Sequence, residues 1–286
     1  MVVGSIELFP VADAVGLLGE YGELYPEIPA EAWEPYRSLY PDLFSGDAWR
    51  LPCNCFLVRA GGVTILVDTG VGPQGLWDWT AEREGELPDA LGRLGVRPED
   101  VDIVFLTHLH IDHVGWNTDL EGVALFPRAR YVVHEDALAF ARAQEGRAHV
   151  QRCIIALEGR FETVSGDFEL APGVTAFVSP GHFPGHMGLR LASGSRRAVL
   201  LADTAVHPAL LNEPDWVYVA DGEPAICATT RHALLPELID QDVLVACGHY
   251  PGSGIGRVVT REGRVVWEEA GCAGHGTIRS SIAFAR

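Results

Sequence analysis

The chain has no apolar run of about eighteen residues, the length that crosses a bilayer as a helix, so no membrane partner is expected. Positive charge is also scarce. Lys and Arg number 21 against 39 Asp and Glu, a net charge of −18, and the isoelectric point is near 4.9. A phosphate backbone calls for basic patches, so nucleic acid is not the expected partner. No block of five like charges accounts for the imbalance. The six cysteines (Cys53, Cys55, Cys153, Cys227, Cys247 and Cys272) contain no Cys-x-x-Cys pair and are too few to staple 286 residues. They are expected to be free thiols in a reducing compartment. The first ten residues carry neither a basic stretch nor a long apolar stretch. No secretory leader is therefore expected, and the location expected is the cytoplasm. Also missing are a Gly-x-Ser-x-Gly elbow, a Walker loop and a dinucleotide-type glycine motif after a strand. No internal repeat of short fixed period is visible.

What is present is apolar bulk and histidine in particular places. Hydrophobic residues make up 48% of the chain and the mean hydropathy is +0.12, ample for a sizeable core. Residues 105–117 read Phe-Leu-Thr-His-Leu-His-Ile-Asp-His-Val-Gly-Trp-Asn and place His108, His110, Asp112 and His113 within six residues. Three imidazoles and a carboxylate at that density point to a metal, with Zn, Fe, Mn or Co suited to such donors. A regular helix would turn His108 and His110 to opposite sides. A strand would align His108, His110 and Asp112 but leave out His113. The spacing predicts a strand ending near Thr107 and a tight loop that fans the four side chains toward one point, with Gly115 easing the turn beyond.

In chain order, an opening strand is expected over 6–10. Residues 11–50 lack clean periodicity and are rich in Pro, acids and aromatics (Tyr21, Tyr25, Trp33, Tyr36, Tyr40, Trp49). That segment reads as a lid or dimer contact, or as a stretch packed on its own domain. Strands over 54–60 and 63–68 flank Gly61-Gly62, a hairpin pattern. A helix over 88–95 leads to the strand before the histidine loop. A strand over 130–134 and a helix over 135–143 follow, with His134 read as structural. A helix-like stretch that includes His149 is expected to cover the site. After strands over 161–164 and 174–179 comes Pro-Gly-His182-Phe-Pro-Gly-His186, where spacing alone lets either histidine bind. Strands over 187–192 and 198–202 end at Asp203. A helix over 223–239 precedes the strand 243–247, which ends at His249, and a closing hairpin spans 255–260 and 264–268. No stretch reads as a linker, so one domain over 1–286 is expected. The repeated order of strands, histidine loop and helix suits two sheets pressed face to face with helices outside.

His108-x-His110-x-Asp112-His113 resembles the signature of the metallo-β-lactamase-fold hydrolases, and the likeness extends from about residue 54 to 251. It implies an α/β (α+β) fold, a four-layer αββα sandwich, with two divalent metal ions, Zn foremost and Mn, Co or Fe as alternatives. His108, His110 and His182 would hold the first ion and Asp112, His113 and His249 the second. Asp203 would bridge them, His186 would stand behind the ligands, and Asp68 would support the loop by hydrogen bonds. The implied chemistry is attack of a metal-bridging hydroxide on an ester carbonyl, with Asp112 also taking the proton as the intermediate collapses. The layout is similar to that of dinuclear quorum-quenching lactonases, which open acyl-homoserine lactones, and of methyl-parathion-hydrolase-like phosphotriesterases. Asp203-x-x-x-His207-Pro208 and Asp215-Trp216 stand closer to the second group. Many of the lactonases carry a Tyr three residues after the bridging Asp, where this chain has Val206. His207 and Tyr250 are the candidates to replace it. The expected protein is thus a metal-dependent hydrolase of lactones or similar esters, or else of phosphotriesters or thioesters. Its expected partners are such small molecules and, through residues 11–50, a second copy of itself.

Overall fold

Gly61 and Gly62 adopt φ of 58° and 82°, the left-handed pair that a two-residue hairpin turn demands and that glycine adopts without strain. They join strand Ala48–Ala60 to strand Val63–Val67 with Ala60 opposite Val63. The computed structural model describes residues 1–271 apart from 74, 75, 78 and 241. Among these, one sheet of nine strands contains in order Val2–Val3, Ile6–Glu20, Ala48–Ala60, Val63–Val67, Ile103–Phe105, Arg130–His134 and Phe161–Val164, with Phe44–Ser45 and Thr80–Arg83 on side branches. A second sheet of seven runs Phe168–Ala171, Val174–Val178, Met187–Ser193, Arg196–Leu200, Val243–Ala246, Ile255–Arg261 and Arg264–Glu269.

Each central strand buries both faces, so its sequence is a continuous apolar run rather than an alternation. Phe56, Val58, Ile65, Val67, Ile103 and Phe105 of the first sheet meet Ala176, Leu189, Leu200, Leu244 and Ala246 of the second. The intervening residues Leu57, Leu66, Val104 and Val133 pack outward against helices Leu87–Arg93 and Glu135–Arg142. Val199, Val243 and Val245 pack outward against Leu234 and Leu238 of helix Pro224–Leu238. The result is helices, sheet, sheet, helices: the expected αββα sandwich. Burying each large aliphatic side chain contributes about 1.5–3 kcal/mol, and this dominates the stability of such a core.

The expected boundaries hold within a few residues for most elements, but the N-terminal third differs. The opening strand runs on to Glu20 rather than ending at Pro10, and the next begins at Ala48 rather than at residue 54. Residues 13–16 are all buried and 17–19 all half-buried, so no period of two marks the stretch as a strand. Between these strands lie the short helical pieces Tyr21–Leu24, Ala30–Trp33, Glu34–Leu39 and Pro41–Leu43. Tyr21, Tyr25, Trp33, Tyr36, Tyr40 and Trp49 are all buried within the chain, the packing alternative for that segment. Strands Thr80–Arg83 and Phe168–Ala171 had no expectation. Five cysteines carry free, buried thiols, whereas Cys272 and the end of the expected domain lie outside the described residues.

Candidate metal centre

The strand Ile103–Phe105 ends three residues before the first histidine, and a four-residue helix, Ile111–Val114, starts directly after His110. His108 and His110 therefore project from the turn and Asp112 and His113 from the first helical turn. This is how side chains that fit neither a helix nor a strand reach one cluster, with His108 and His110 in one group of it and Asp112 and His113 beside His249. A second fixture holds that turn. Thr69 N donates to His113 O at 2.8 Å, Gly115 N to Gly70 O at 2.7 Å and Trp116 N to Thr69 O at 3.0 Å. The two loops cross so closely that a Cβ on Gly115 would meet the carbonyl carbon of Val71 at 2.1 Å. One on Gly72 would meet Gly115 O at 2.6 Å.

The expected ligands converge. Ligand atoms of His108, His110, His182 and Asp203 lie within 4.8 Å of one another, as do those of His113, Asp203 and His249, and those of Cys53, Asp112 and His249. Asp203 faces both ways: its Oδ2 stands 3.3 Å from His182 Nε2 and 3.7 Å from His108 Nε2. Its Oδ1 stands 3.3 Å from His249 Nε2 and 3.5 Å from His113 Nε2. Asp112 Oδ2 is 3.5 Å from His249 Nε2 and 3.7 Å from His113 Nε2. His110 Nδ1 is 3.0 Å from His108 Nε2 and 3.1 Å from His182 Nε2.

The outer nitrogens fix the tautomers. His249 Nδ1 donates to Pro52 O at 2.8 Å, and a carbonyl can only accept. His113 Nδ1 donates to Asp68 Oδ2 at 2.8 Å and His182 Nδ1 to Asp221 Oδ1 at 2.9 Å. His108 Nδ1 donates to Thr107 Oγ1 at 3.1 Å, because that hydroxyl spends its proton on Asp68 Oδ2 at 2.9 Å. When neutral, all four rings turn a bare Nε2 lone pair inward, the arrangement of metal-binding histidines with supporting acceptors. Asp68 holds the left-handed region at φ 60°, which Asp tolerates better than most residues. It also accepts Thr107 N at 2.8 Å, so its expected supporting place is what the geometry shows. Asp221 is in turn held by Arg231, whose Nη2 reaches Oδ2 at 2.6 Å.

The donor set fits divalent cations. Two ligand bonds of about 2.0–2.1 Å meeting at a tetrahedral angle separate their donor atoms by about 3.3 Å, close to the spacings above. His113 Nε2 and Asp203 Oδ1 are buried without a hydrogen-bond partner among the described residues. Each orphan would cost about 1–3 kcal/mol unless something fills the gap between them. Charge tells the same story. Burial opposes the charged form of His113 and His249, yet the Asp203 carboxylate, with other acidic neighbours, outweighs it and raises both well above the ordinary imidazole range. Burial likewise opposes the Asp203 charge, but His249 and His113 outweigh it and hold that carboxyl well below its usual range. Burial and the neighbouring imidazoles pull His108 and His110 down. The carboxylates thus favour positive charge beside Asp203. Cys53 adds a thiol pushed up to about 12, chiefly by burial.

The cluster floors a cavity of about 250 Å³, walled by Leu18, Trp49, Leu51, Ile111 and Val206, with Tyr218 beside the metal-facing groups. Arg147 and His149 stand at its rim, which agrees with the expectation for the segment around His149. A larger open groove of about 960 Å³ beside the hairpin Ile255–Glu269 holds none of the cluster's histidines. The chemistry therefore places the site in the smaller cavity.

The profile of the metallo-beta-lactamase superfamily matches residues 48–249. The chain belongs to the metallo-β-lactamase superfamily. Within that superfamily it is 30% identical over 187 residues to an N-acyl homoserine lactonase of a Bacillus species, covering 60% of this chain and 71% of the relative. It is 27% identical over 228 residues to an N-acyl homoserine lactonase of Bacillus thuringiensis, covering 75% and 87%. Among solved structures, the fold is similar to AidC, a dizinc quorum-quenching lactonase seen with a product, at a TM-score of 0.81, 22% identity, and 94% and 96% coverage. It is also similar to AbOPH, a hydrolase in the beta lactamase superfamily, at 0.78, 25%, and 94% and 96%.

Not every expected site residue reaches the cavity. His207 is fully buried among Tyr21, Trp33, Tyr40, Phe44 and Trp49. Its Nδ1 accepts Ala209 N at 3.0 Å, capping the turn Pro208–Leu211, and burial holds its pKa down to about 3. Tyr250 is fully buried against Trp267, ring centres 5.2 Å apart, on the outer side of the second sheet. Neither lines the cavity, which corrects the expectation that they replace the Tyr absent at Val206. Both follow site residues closely in sequence, but the chain turns their side chains into the core. His186, open by spacing, spends both nitrogens on backbone: Nδ1 donates to Ser179 O at 2.9 Å and Nε2 accepts Asp203 N at 3.0 Å. It fixes Asp203 rather than facing the ions' place. His134 caps the helix Glu135–Arg142 through Asp136 N at 3.1 Å. Asp215 pairs with His232 at 2.9 Å on the surface. Sequence reading missed Tyr218, the support given by Asp221 and Arg231, and the placement of Cys53.

Proposed function

We propose that the protein is a dinuclear metal-dependent hydrolase that opens N-acyl homoserine lactones or closely similar esters, with zinc as the resident metal. The observation that carries this is Asp203 set between two groups of inward-facing imidazole nitrogens. One is His108, His110 and His182; the other is His113 and His249 with Asp112. When bound, two divalent ions supply a nucleophile at neutral pH and Lewis-acid polarisation of a carbonyl. The protein's own groups do the rest. Leu18, Leu51, Ile111, Trp49 and Val206 give an apolar wall for an acyl chain. The cavity lies below the range of about 300–1,000 Å³ typical of drug-sized ligands, which favours a short to medium chain. Asp112 lines the same cavity and carries the proton toward the departing ring oxygen. The lactonase names of the relatives support the substrate class.

The test is proton release from a medium-chain acyl-homoserine lactone, run beside a phosphotriester and an aryl ester, before and after chelation and refilling with Zn, Mn or Co. A lactone kcat/KM of about 10⁴ M⁻¹s⁻¹ or above, lost on chelation and restored by metal, is the expected result. Chelator-resistant turnover would sink the metal reading. A phosphotriester rate well above the lactone rate would move the assignment to the phosphotriesterase alternative.

A further inference from the structure

A lactone carbonyl under attack gains negative charge on its oxygen, and a hydrogen-bond donor beside that oxygen lowers the barrier. Position 206 offers only an alkyl wall, and His207 and Tyr250 are sealed in the core. Tyr218 is different. It lines the cavity with His110, Asp112, His182 and Asp203. Its ring lies parallel to that of His182, centres 6.3 Å apart. Tyr25 and Trp49 pack against it, ring centres 5.3 and 5.8 Å away.

The backbone fixes this placement. Asp221 N donates to Tyr218 O at 3.0 Å, closing a turn, and Val219 N donates to Leu24 O at 3.0 Å. The same Asp221 orients His182 and is clamped by Arg231. Tyr218 and the first-ion histidine are thus held by one loop. A phenol O–H can donate a hydrogen bond, which the alkyl side chain at position 206 cannot.

We propose that Tyr218 is the hydrogen-bond donor to the substrate carbonyl oxygen, a role moved here from the position of Val206. This rests on the ester-hydrolase reading above. In the step, a water molecule gives one proton to Asp112 and its oxygen bonds to the acyl carbon, while the carbonyl π pair moves onto the carbonyl oxygen, where Tyr218 donates. The pair then returns as the ring C–O bond breaks, the leaving oxygen taking a proton by way of Asp112. Tyr218 keeps its own proton throughout. Asp112 serves the departing oxygen, and Tyr218, on the His182 side, serves the other.

The experiment compares wild type with Tyr218→Phe as metal-loaded proteins on an acyl-homoserine lactone and an aryl ester. It reads kcat and KM separately, bound metal per chain, and affinity for the non-hydrolysable lactam. The expected result is a kcat lower by about 10²-fold with KM, lactam affinity and metal content within about twofold. An unchanged kcat overturns the proposal. So does a loss that comes with lost metal or weakened lactam binding, which would make Tyr218 a packing residue. If wild type opens no lactone but cleaves the aryl ester, the lactone assignment fails while Tyr218 is judged on that ester, whose carbonyl gains the same charge. If only a phosphotriester is cleaved, both fall.

Discussion

His207 and the cluster around Asp203 are separated by four residues of chain and by opposite surroundings. In the cluster, imidazole nitrogens point together at carboxylate oxygens, and His113 Nε2 and Asp203 Oδ1 lack a hydrogen-bond partner among the described residues. Around His207, five aromatic side chains close in, and Nδ1 caps a short turn. Burial drives a histidine toward the neutral form: alone it takes His207 down to about 3, and together with the charge of His182 it takes His186 to about 3 as well. Where carboxylates share the burial, as for His113 and His249, the direction reverses. A buried histidine is therefore a ligand or a core residue according to what its two nitrogens face, not according to its depth.

Substitutions on either side of this divide have different expected readouts. Asp203→Ala removes the one group shared by both halves. It should weaken binding of both ions by well over the 10–100-fold that losing a supporting partner typically costs (about that range), and abolish turnover; elemental analysis after dialysis checks it. His207→Ala should instead leave bound metal unchanged and cost about 3 kcal/mol in denaturant unfolding, for a lost buried ring and a lost cap. Metal loss without a stability loss would return His207 to the site. The smallest effect is in pH. The folded pKa of His207, about 3, lies below the ordinary value of about 6.5. Its contribution is fully present above pH 6.5 and is lost as pH falls toward 3, because the unfolded chain takes up the proton. His207→Gln should lessen the slope of stability between pH 4 and 6 by up to about 1.4 kcal/mol per pH unit relative to wild type.

Much of this was legible before the structure. The density of ligands in residues 108–113, the apolar runs ahead of His182, Asp203 and His249, and Gly61-Gly62 pointed to the sandwich and to the convergence of its histidines. What could not be read has physical causes. The strand Ile6–Glu20 shows no in–out alternation over 13–19, where residues are all buried and then all half-buried, so periodicity is silent there. Which of His182 and His186 faces inward depends on what meets Nε2: for His182 it is the ligand cluster, and for His186 it is the backbone N–H of Asp203, 17 residues away. Tyr218 carries no spacing pattern. It reaches the cavity only because its loop is tied to Asp221 and Leu24. His207 and Tyr250 are the converse: placed next to site residues by sequence, they are turned away by the fold.

The crossing of Gly72 over Gly115 bears on how such a molecule could be retrained in laboratory evolution. At that crossing there is no room for even one added carbon, and the two loops that carry Asp68 and His113 can only shift as a pair. A mutational library spread over residues 69–72 and 113–116 should return mostly dead clones. One confined to Leu18, Leu51, Ile111 and Val206 could reshape the wall without disturbing the floor. Innovation in substrate range would thus be cheap on one side of the cavity and nearly forbidden on the other.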